Sequence, residues 1–399
     1  MSVFIGAHRD VPTGYPMPRS LYYIECMRIT ESDGPSARAR GNQVSQRDAR
    51  LVAAWLFAVA GMILIMIVLG GATRLTGSGL SIMEWAPLLG TLPPMSEGEW
   101  HRLFGMYQKI PQYDLVNRDF GLAGFKHIFW LEWMHRLWGR LIGLVFLIPL
   151  VWFWVTGRIS GSLRAQLAIL LLIGGLQAAA GWFMVASGFL PDTTSVSPYR
   201  LVIHLGLALL LYGAVVWFGL SVLRPKPITM GPHAVTSNGA VPLGVLARVT
   251  TAVVCLTILA GGFVAGLRAG LTYNTFPLMD GQLLPSSFAD LQPFARNLTE
   301  NVALVQFDHR LLATLTLLLA ASTIVIGWSR PQPPEVRRGL LAIGLATIIQ
   351  YGLGVATLLF VVPVGLATIH QAGAALLLTA NLILNHALRP RPITKPYDQ

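Results

Sequence analysis

Charged side chains are scarce in this sequence. Asp, Glu, Lys and Arg make up 12% of its 399 residues, where soluble domains carry about a quarter. Apolar residues fill the deficit at 54%, and mean hydropathy is +0.59. A water-soluble chain of this length could not bury so much apolar side chain, so aqueous folds, disordered chains and fibrous repeats are excluded. Cysteine is nearly absent. Cys26 and Cys255 alone rule out a disulfide framework and any Cys-rich metal or iron–sulfur site. Acids are the scarcer charge, leaving a net +11. In a soluble chain that surplus would suggest nucleic acid. In this composition it reads as the Lys/Arg bias of cytoplasmic loops, and no nucleic-acid partner is expected.

What is abundant is long apolar runs. Stretches 51–69, 137–156, 165–186, 201–223, 249–267 and 311–329 each approach the about 20 residues of helix that cross a bilayer. Residues 339–388 carry no charge at all, and as one helix they would span roughly 75 Å. Pro363 and Gly365 divide that run into two. The expected fold class is an all-α polytopic membrane protein with eight transmembrane helices. Arg158 and Arg164, then Arg224, Lys226 and Arg248, then Arg330, Arg337 and Arg338, then Arg389, Arg391 and Lys395 fall on alternate connecting segments. Together with the Arg-bearing N-terminus they account for the whole basic surplus, so both termini are expected in the cytoplasm. The opposite loops near 71–133 and 268–306 are long, as functional loops usually are. Residues 1–49 read as a cytoplasmic tail. They lack the apolar core of a signal peptide, and Asp10, Glu25, Glu31 and Asp33 are unlike a mitochondrial presequence. A bacterial inner membrane is the expected location, with the mitochondrial inner membrane as the alternative.

The chain also reads twice. Gly70-Gly71 with Gly79-Leu80-Ser81 matches Gly261-Gly262 with Gly270-Leu271-Thr272 at the same interval. His135-Arg136-Leu137 matches His309-Arg310-Leu311, Gln177 and Gly181 match Gln350 and Gly354, and His204 matches His370. The expected organisation is two tandem pseudo-symmetric four-helix bundles related by an axis along the membrane normal, an arrangement with precedent. The N-terminal bundle would run over 50–223 and the C-terminal one over 249–388. A cytoplasmic linker over 224–248 and a tail over 389–399 complete the chain.

The repeat singles out His135, His204, His309 and His370, each at the same end of an even-numbered span. Histidine near a bilayer core is costly and functional by default. Two imidazoles per half, facing one another across a bundle, suit one planar cofactor. No zinc-type cluster repeats in both halves, so bis-His haem ligation is the better fit. The bland alternative is that each histidine caps a helix or bonds a loop carbonyl. Arg74, Arg136, Arg268 and Arg310 stand beside these histidines as candidates for haem propionate contacts, with interfacial snorkelling as their alternative. Glu132 lies one turn before His135, where the second half has Gln306. A carboxylate there can act as base, proton relay or nucleophile, and an amide cannot titrate. Pairing with Arg136 at i+4 is the structural alternative. His101, His127, His233 and His386 have no repeat partners and read as ordinary loop or interface residues.

Taken together, Gly70-Gly71-Ala72-Thr73-Arg74-Leu75-Thr76, Glu132-Trp133-Met134-His135-Arg136, His204, Phe307-Asp308-His309-Arg310 and Ile369-His370-Gln371 resemble the haem A synthases over the entire membrane portion. Within that family the chain is similar to the branch shared by proteobacteria and mitochondria. Cysteine pairs mark the external loops of the other bacterial branch, and no external loop here has a cysteine. The resemblance implies oxidation of the C8 methyl of haem O, through a hydroxymethyl stage, to the formyl group of haem A for cytochrome oxidase. It also implies haem b on His309 and His370, substrate haem near His135 and His204, and Glu132 as the catalytic acid close to the reacting edge. Haem O synthase and oxidase assembly factors are the partners it suggests; the electron acceptor and homo-oligomerisation stay open. Two rivals remain at this stage: a di-haem b electron-transfer protein, which four histidines at one depth argue against, and a haem transporter or assembly factor without catalytic activity.

Overall fold

The computed structural model describes residues 45–86, 89–159, 161–227 and 242–389. Most of the expected N-terminal tail, with His8 and Cys26, lies outside these residues, as do the larger part of the linker, with His233, and Arg391 and Lys395. Among the described residues eight helices are long and apolar enough to cross a membrane. They are α1 Gln46–Leu75, α2 Leu122–Val155, α3 Gly161–Ala186, α4 Pro198–Leu223, α5 Leu243–Gly266, α6 Val302–Trp328, α7 Pro334–Leu359 and α8 Val364–Ala387. Among the described residues the only extended pairing is an isolated bridge between Met279 and Gln282. The all-α polytopic class expected from the sequence is the class adopted.

Local chemistry sets the helix ends. Ser45 caps α1 by accepting from the Asp48 N–H, and Asn301 caps α6 by accepting from Ala303 and Leu304, each satisfying donors the first turn leaves open. Pro198 and Pro334 open α4 and α7, where a missing N–H costs nothing. The charge-free run breaks before Pro363, through Val361 and Val362 at φ 60 and 56. Branched side chains rarely adopt that conformation. It is held by the Val362 N–H donating to the Thr357 carbonyl at 2.8 Å.

Helix α2 begins at Leu122, well ahead of the apolar run that hydropathy picks out. Glu132, His135, Arg136 and Arg140 interrupt the apolar pattern there. The guanidinium groups donate to carbonyls of the preceding segment, including Ala86 from Arg140 at 2.7 Å, so the helix continues through them. At 34 residues it is about 51 Å long, well beyond a hydrocarbon core of about 30 Å. Its first turns instead pack into a cap formed by the α1–α2 segment. Trp100 and Tyr107, on a helix over Glu97–Tyr107, bury themselves with Leu80 against Phe125, Ile128 and Phe129.

Packing follows the same cycle in each set of four helices. In the first half α1 touches α2 and α4, and α3 touches α2 and α4; in the second, α5 touches α6 and α8, and α7 touches α6 and α8. This is consistent with the duplication read from the sequence. The halves meet where α4 packs on α5 and where α8 packs on α1 and α4, through a core that includes Leu56, Val59, Val215 and Leu378. Lipid tails are as apolar as leucine, so such contacts depend on close fit and interhelical hydrogen bonds. Gln371 of α8 sits over Gly71 of α1 and donates to the Ile67 carbonyl at 3.0 Å. Tyr212 and Thr379 share a hydrogen bond of 2.6 Å.

Candidate functional site

Each of the four repeat histidines lies against a glycine of the helix before it. His135 of α2 faces Gly70 of α1, and His204 of α4 faces Gly181 of α3. His309 of α6 faces Gly261 of α5, and His370 of α8 faces Gly354 of α7. A Cβ at those glycines would stand 3.1, 3.0, 3.0 and 2.9 Å from the respective imidazole Cε1. Only a residue without a side chain lets a ring lie so close to neighbouring backbone. These are the glycines the sequence repeat paired, Gly70 with Gly261 and Gly181 with Gly354. Within each half the two imidazoles are electrostatic neighbours, His135 with His204 and His370 with His309.

The second ring nitrogens differ between halves. His309 directs Nδ1 at the Thr257 carbonyl, 3.1 Å away. His370 has Nδ1 3.1 Å from the Gln350 amide nitrogen, which also donates to the His370 carbonyl at 2.9 Å. In the first half Gln177 donates to the His204 carbonyl at 3.1 Å and lies 3.4 Å from the His204 Nε2. There, however, Nδ1 of both His135 and His204 is buried with no hydrogen-bond partner. Metal-ligating histidines commonly donate their other ring N–H to a carbonyl, whereas the Gln350 amide is itself a donor toward His370. Of the four rings, His309 has that support, from the Thr257 carbonyl.

Glu132 is 3% exposed and fully engaged. One oxygen accepts from the Ser81 N–H, the Ser81 hydroxyl and the Ile82 N–H at 2.7, 2.7 and 3.0 Å. The other accepts from Arg136 at 2.6 and 3.1 Å. Gln306 occupies the matching place with reversed polarity. Its amide donates to the Ala269 and Thr272 carbonyls at 2.9 and 2.6 Å, while its oxygen accepts from Arg310 at 3.2 Å. Arg136 also donates to the Ile82 and Glu84 carbonyls, and Arg310 to those of Tyr273 and Thr275. These two arginines therefore spend much of their donor capacity on loop backbone. Arg74 and Arg268 make no side-chain hydrogen bond or ion pair among the described residues and are electrostatic neighbours of one another across the two halves. Outside the spans, the Arg102 guanidinium beside Glu84 holds that carboxyl below its ordinary value, tying the cap to the same loop.

The histidines, Glu132 and the four arginines all came from motif spacing. The glycines and the two glutamines were visible as repeat matches, yet a match carries no role until the ring it touches is known. The Thr257 carbonyl had no signal, because any residue supplies one. Among the described residues no three His, Cys, Asp or Glu side chains gather as metal donors. The donors come as two imidazole pairs, one in each half. Neutral imidazole pairs suit haem iron, so the residues present fit the group implied by the sequence.

Comparison with known proteins agrees with this chemistry. The COX15-CtaA family model, described as cytochrome oxidase assembly protein, matches residues 53–382. The Heme A synthase of Granulibacter bethesdensis is 59% identical over 344 residues, covering 86% of this chain and 89% of that protein. That of Rhodospirillum centenum is 47% identical, covering 88% and 92%. That of Paramagnetospirillum magneticum is 44% identical, covering 91% and 99%.

Proposed function

The chain belongs to the COX15-CtaA family, whose curated relatives are haem A synthases, and we propose from that premise a role for each of its two histidine pairs. The activity is oxidation of haem O to haem A, by a multi-pass membrane oxidoreductase. In our reading His309 and His370 hold a resident haem b, while His135 and His204 hold the substrate haem in the N-terminal bundle over 50–223. The observation that carries this assignment is the difference in second-nitrogen support. A ring whose Nδ1 faces the Thr257 carbonyl suits a permanent ligand, and the buried, unpartnered Nδ1 atoms of His135 and His204 suit a group that must enter and leave.

When bound, haem b supplies one-electron redox chemistry. The protein residues do the rest. Gly70, Gly181, Gly261 and Gly354 set the ring positions. Arg74 and Arg268, without a side-chain hydrogen bond among the described residues, are the better placed of the four arginines to hold propionates bidentately; Arg136 and Arg310 would do so with the N–H groups their loops leave over. Glu132 is the proton-handling residue of the substrate half. Its carboxylate is pre-positioned by Ser81, Ile82 and Arg136 and buried from bulk water. In this reading both termini face the cytoplasm across a bacterial inner membrane. A haem O-making enzyme upstream and the oxidase assembly machinery downstream are the partners the reaction implies.

Extracting pigment from purified protein and separating it by reversed-phase chromatography tests the reading. Haem O or haem A alongside haem b is expected. Haem b alone, at two equivalents per chain, would make the protein a cytochrome and overturn it.

A further inference from the structure

The end of the bundle opposite the histidines carries a cluster that the reaction does not use. Just past α8 the Arg389 guanidinium lies against the His386 ring and donates to the Arg224 carbonyl and, at 3.2 Å, to the His386 carbonyl. His386 is 3% exposed. Trp217 of α4 meets its ring edge-on at 5.2 Å, and Ser221 Oγ lies 3.3 Å from its Nε2. Every acceptor of Arg389 is therefore neutral. Among the described residues no carboxylate pairs with it, and burial lowers its proton affinity below the ordinary value. Among the described residues its charge has no ion-pair partner, and Glu335 shares a cavity wall with it without bridging it.

Two cavities meet at this guanidinium. One, of about 380 Å³, is lined by Trp217, Leu382 and Leu388 together with Arg248, Asn385 and Arg389. The other, of about 210 Å³, is lined by Arg224, Lys226, His386 and Arg389, with Glu335 as the sole acid on either wall. Arg248 is exposed and has no ion pair among the described residues. The larger space thus has an apolar wall inside the spans, at Trp217 and Leu382, and a cationic mouth at their ends. A free inorganic anion would need only the mouth.

We propose that these joined cavities bind one anionic phospholipid. Its phosphate-bearing headgroup lies between Arg248 and Arg389, and its glycerol and upper acyl chain lie along Trp217 and Leu382. Guanidinium groups recognise phosphate through paired hydrogen bonds, and basic pockets between membrane helices are established sites for acidic lipid headgroups. The indole of Trp217 suits the interfacial depth at which the headgroup meets the chain. The neutral hydrogen bonds of Arg389 orient its charge before the lipid arrives.

The test uses the full chain in nanodiscs of phosphatidylcholine alone or of phosphatidylcholine with phosphatidylglycerol, with retained lipid counted by native mass spectrometry. Wild-type protein should retain phosphatidylglycerol in preference to phosphatidylcholine. Arg248→Gln and Arg389→Gln should each weaken that retention about fivefold, the worth of one basic residue at an anionic surface, while bound pigment stays unchanged and reports an intact fold. Arg248 is exposed, so its variant keeps the test valid even if Arg389→Gln folds poorly. Saturating inorganic phosphate should leave the lipid in place. Equal retention of the two lipids by the wild type, undiminished phosphatidylglycerol retention by both variants, or full displacement by phosphate would each overturn the proposal.

Discussion

Glu132 and Gln306 anchor their loops from the same position with opposite polarity, and that difference decides how a substitution at Glu132 is read. The carboxylate accepts from three loop donors and from Arg136. An amide there would turn an N–H toward donors whichever way it flipped. Hydrogen bonds to a charged group are worth about 1.5–3 kcal/mol, so Glu132→Gln disturbs the loop as well as removing a titratable proton. Ser81→Ala separates the two effects, because it removes one hydrogen bond and leaves the acid in place. We expect Glu132→Gln to keep haem b while haem A formation falls by about 10²–10⁴-fold, the usual worth of a catalytic acid or base. Ser81→Ala should lower stability by about 1.5–3 kcal/mol with turnover per bound haem near normal. Equal collapse in both variants, measured by pigment chromatography, would leave Glu132 as an anchor only.

At the scale of the helix, the glycine opposite each histidine is a packing requirement with a direct readout. Gly354→Ala would bring a methyl to 2.9 Å from the His370 ring, whereas Gly61→Ala on α1 meets nothing within 4 Å. The first should shift the haem b absorption spectrum or lower its occupancy, and the second should leave both unchanged. The cap makes a smaller prediction. Glu84 and Arg102 are both substantially exposed, so their bridge contributes at most about 1 kcal/mol. Because the Glu84 value is lowered in the fold, that contribution is present above the ordinary 4.5 and is lost as pH falls through the lowered value. Proteolysis of the α1–α2 segment should rise over that acid range in the wild type and be less pH-dependent in Arg102→Gln. All eight helices were legible as apolar runs, since those runs coincide with lipid-facing or interhelical surface. The start of α2 was not. Its polar residues are satisfied by a loop distant in sequence, and hydropathy counts them as if exposed to lipid. The site divided in the same way. Ligand types and spacing are sequence properties, but the contacts of Gln177, Gln350 and the Thr257 carbonyl with the rings depend on which helices adjoin.

For the whole molecule, the duplicated cycle of helix contacts and the unequal support of the two histidine pairs lead to one account: similar halves, one holding a resident haem and the other a transient one. The one-sided basic surplus adds a topological prediction. Green fluorescent protein fused at either terminus should fluoresce in cells, and alkaline phosphatase fused at the same places should be inactive. The central claim is the division of labour between halves. It is tested most directly by purifying His309→Ala and His135→Ala side by side and measuring haem b, haem O and haem A in each. The account predicts that His309→Ala lacks haem b, and that His135→Ala keeps haem b with an unchanged spectrum while making no haem A. Loss of haem b from His135→Ala together with its retention by His309→Ala would contradict the account.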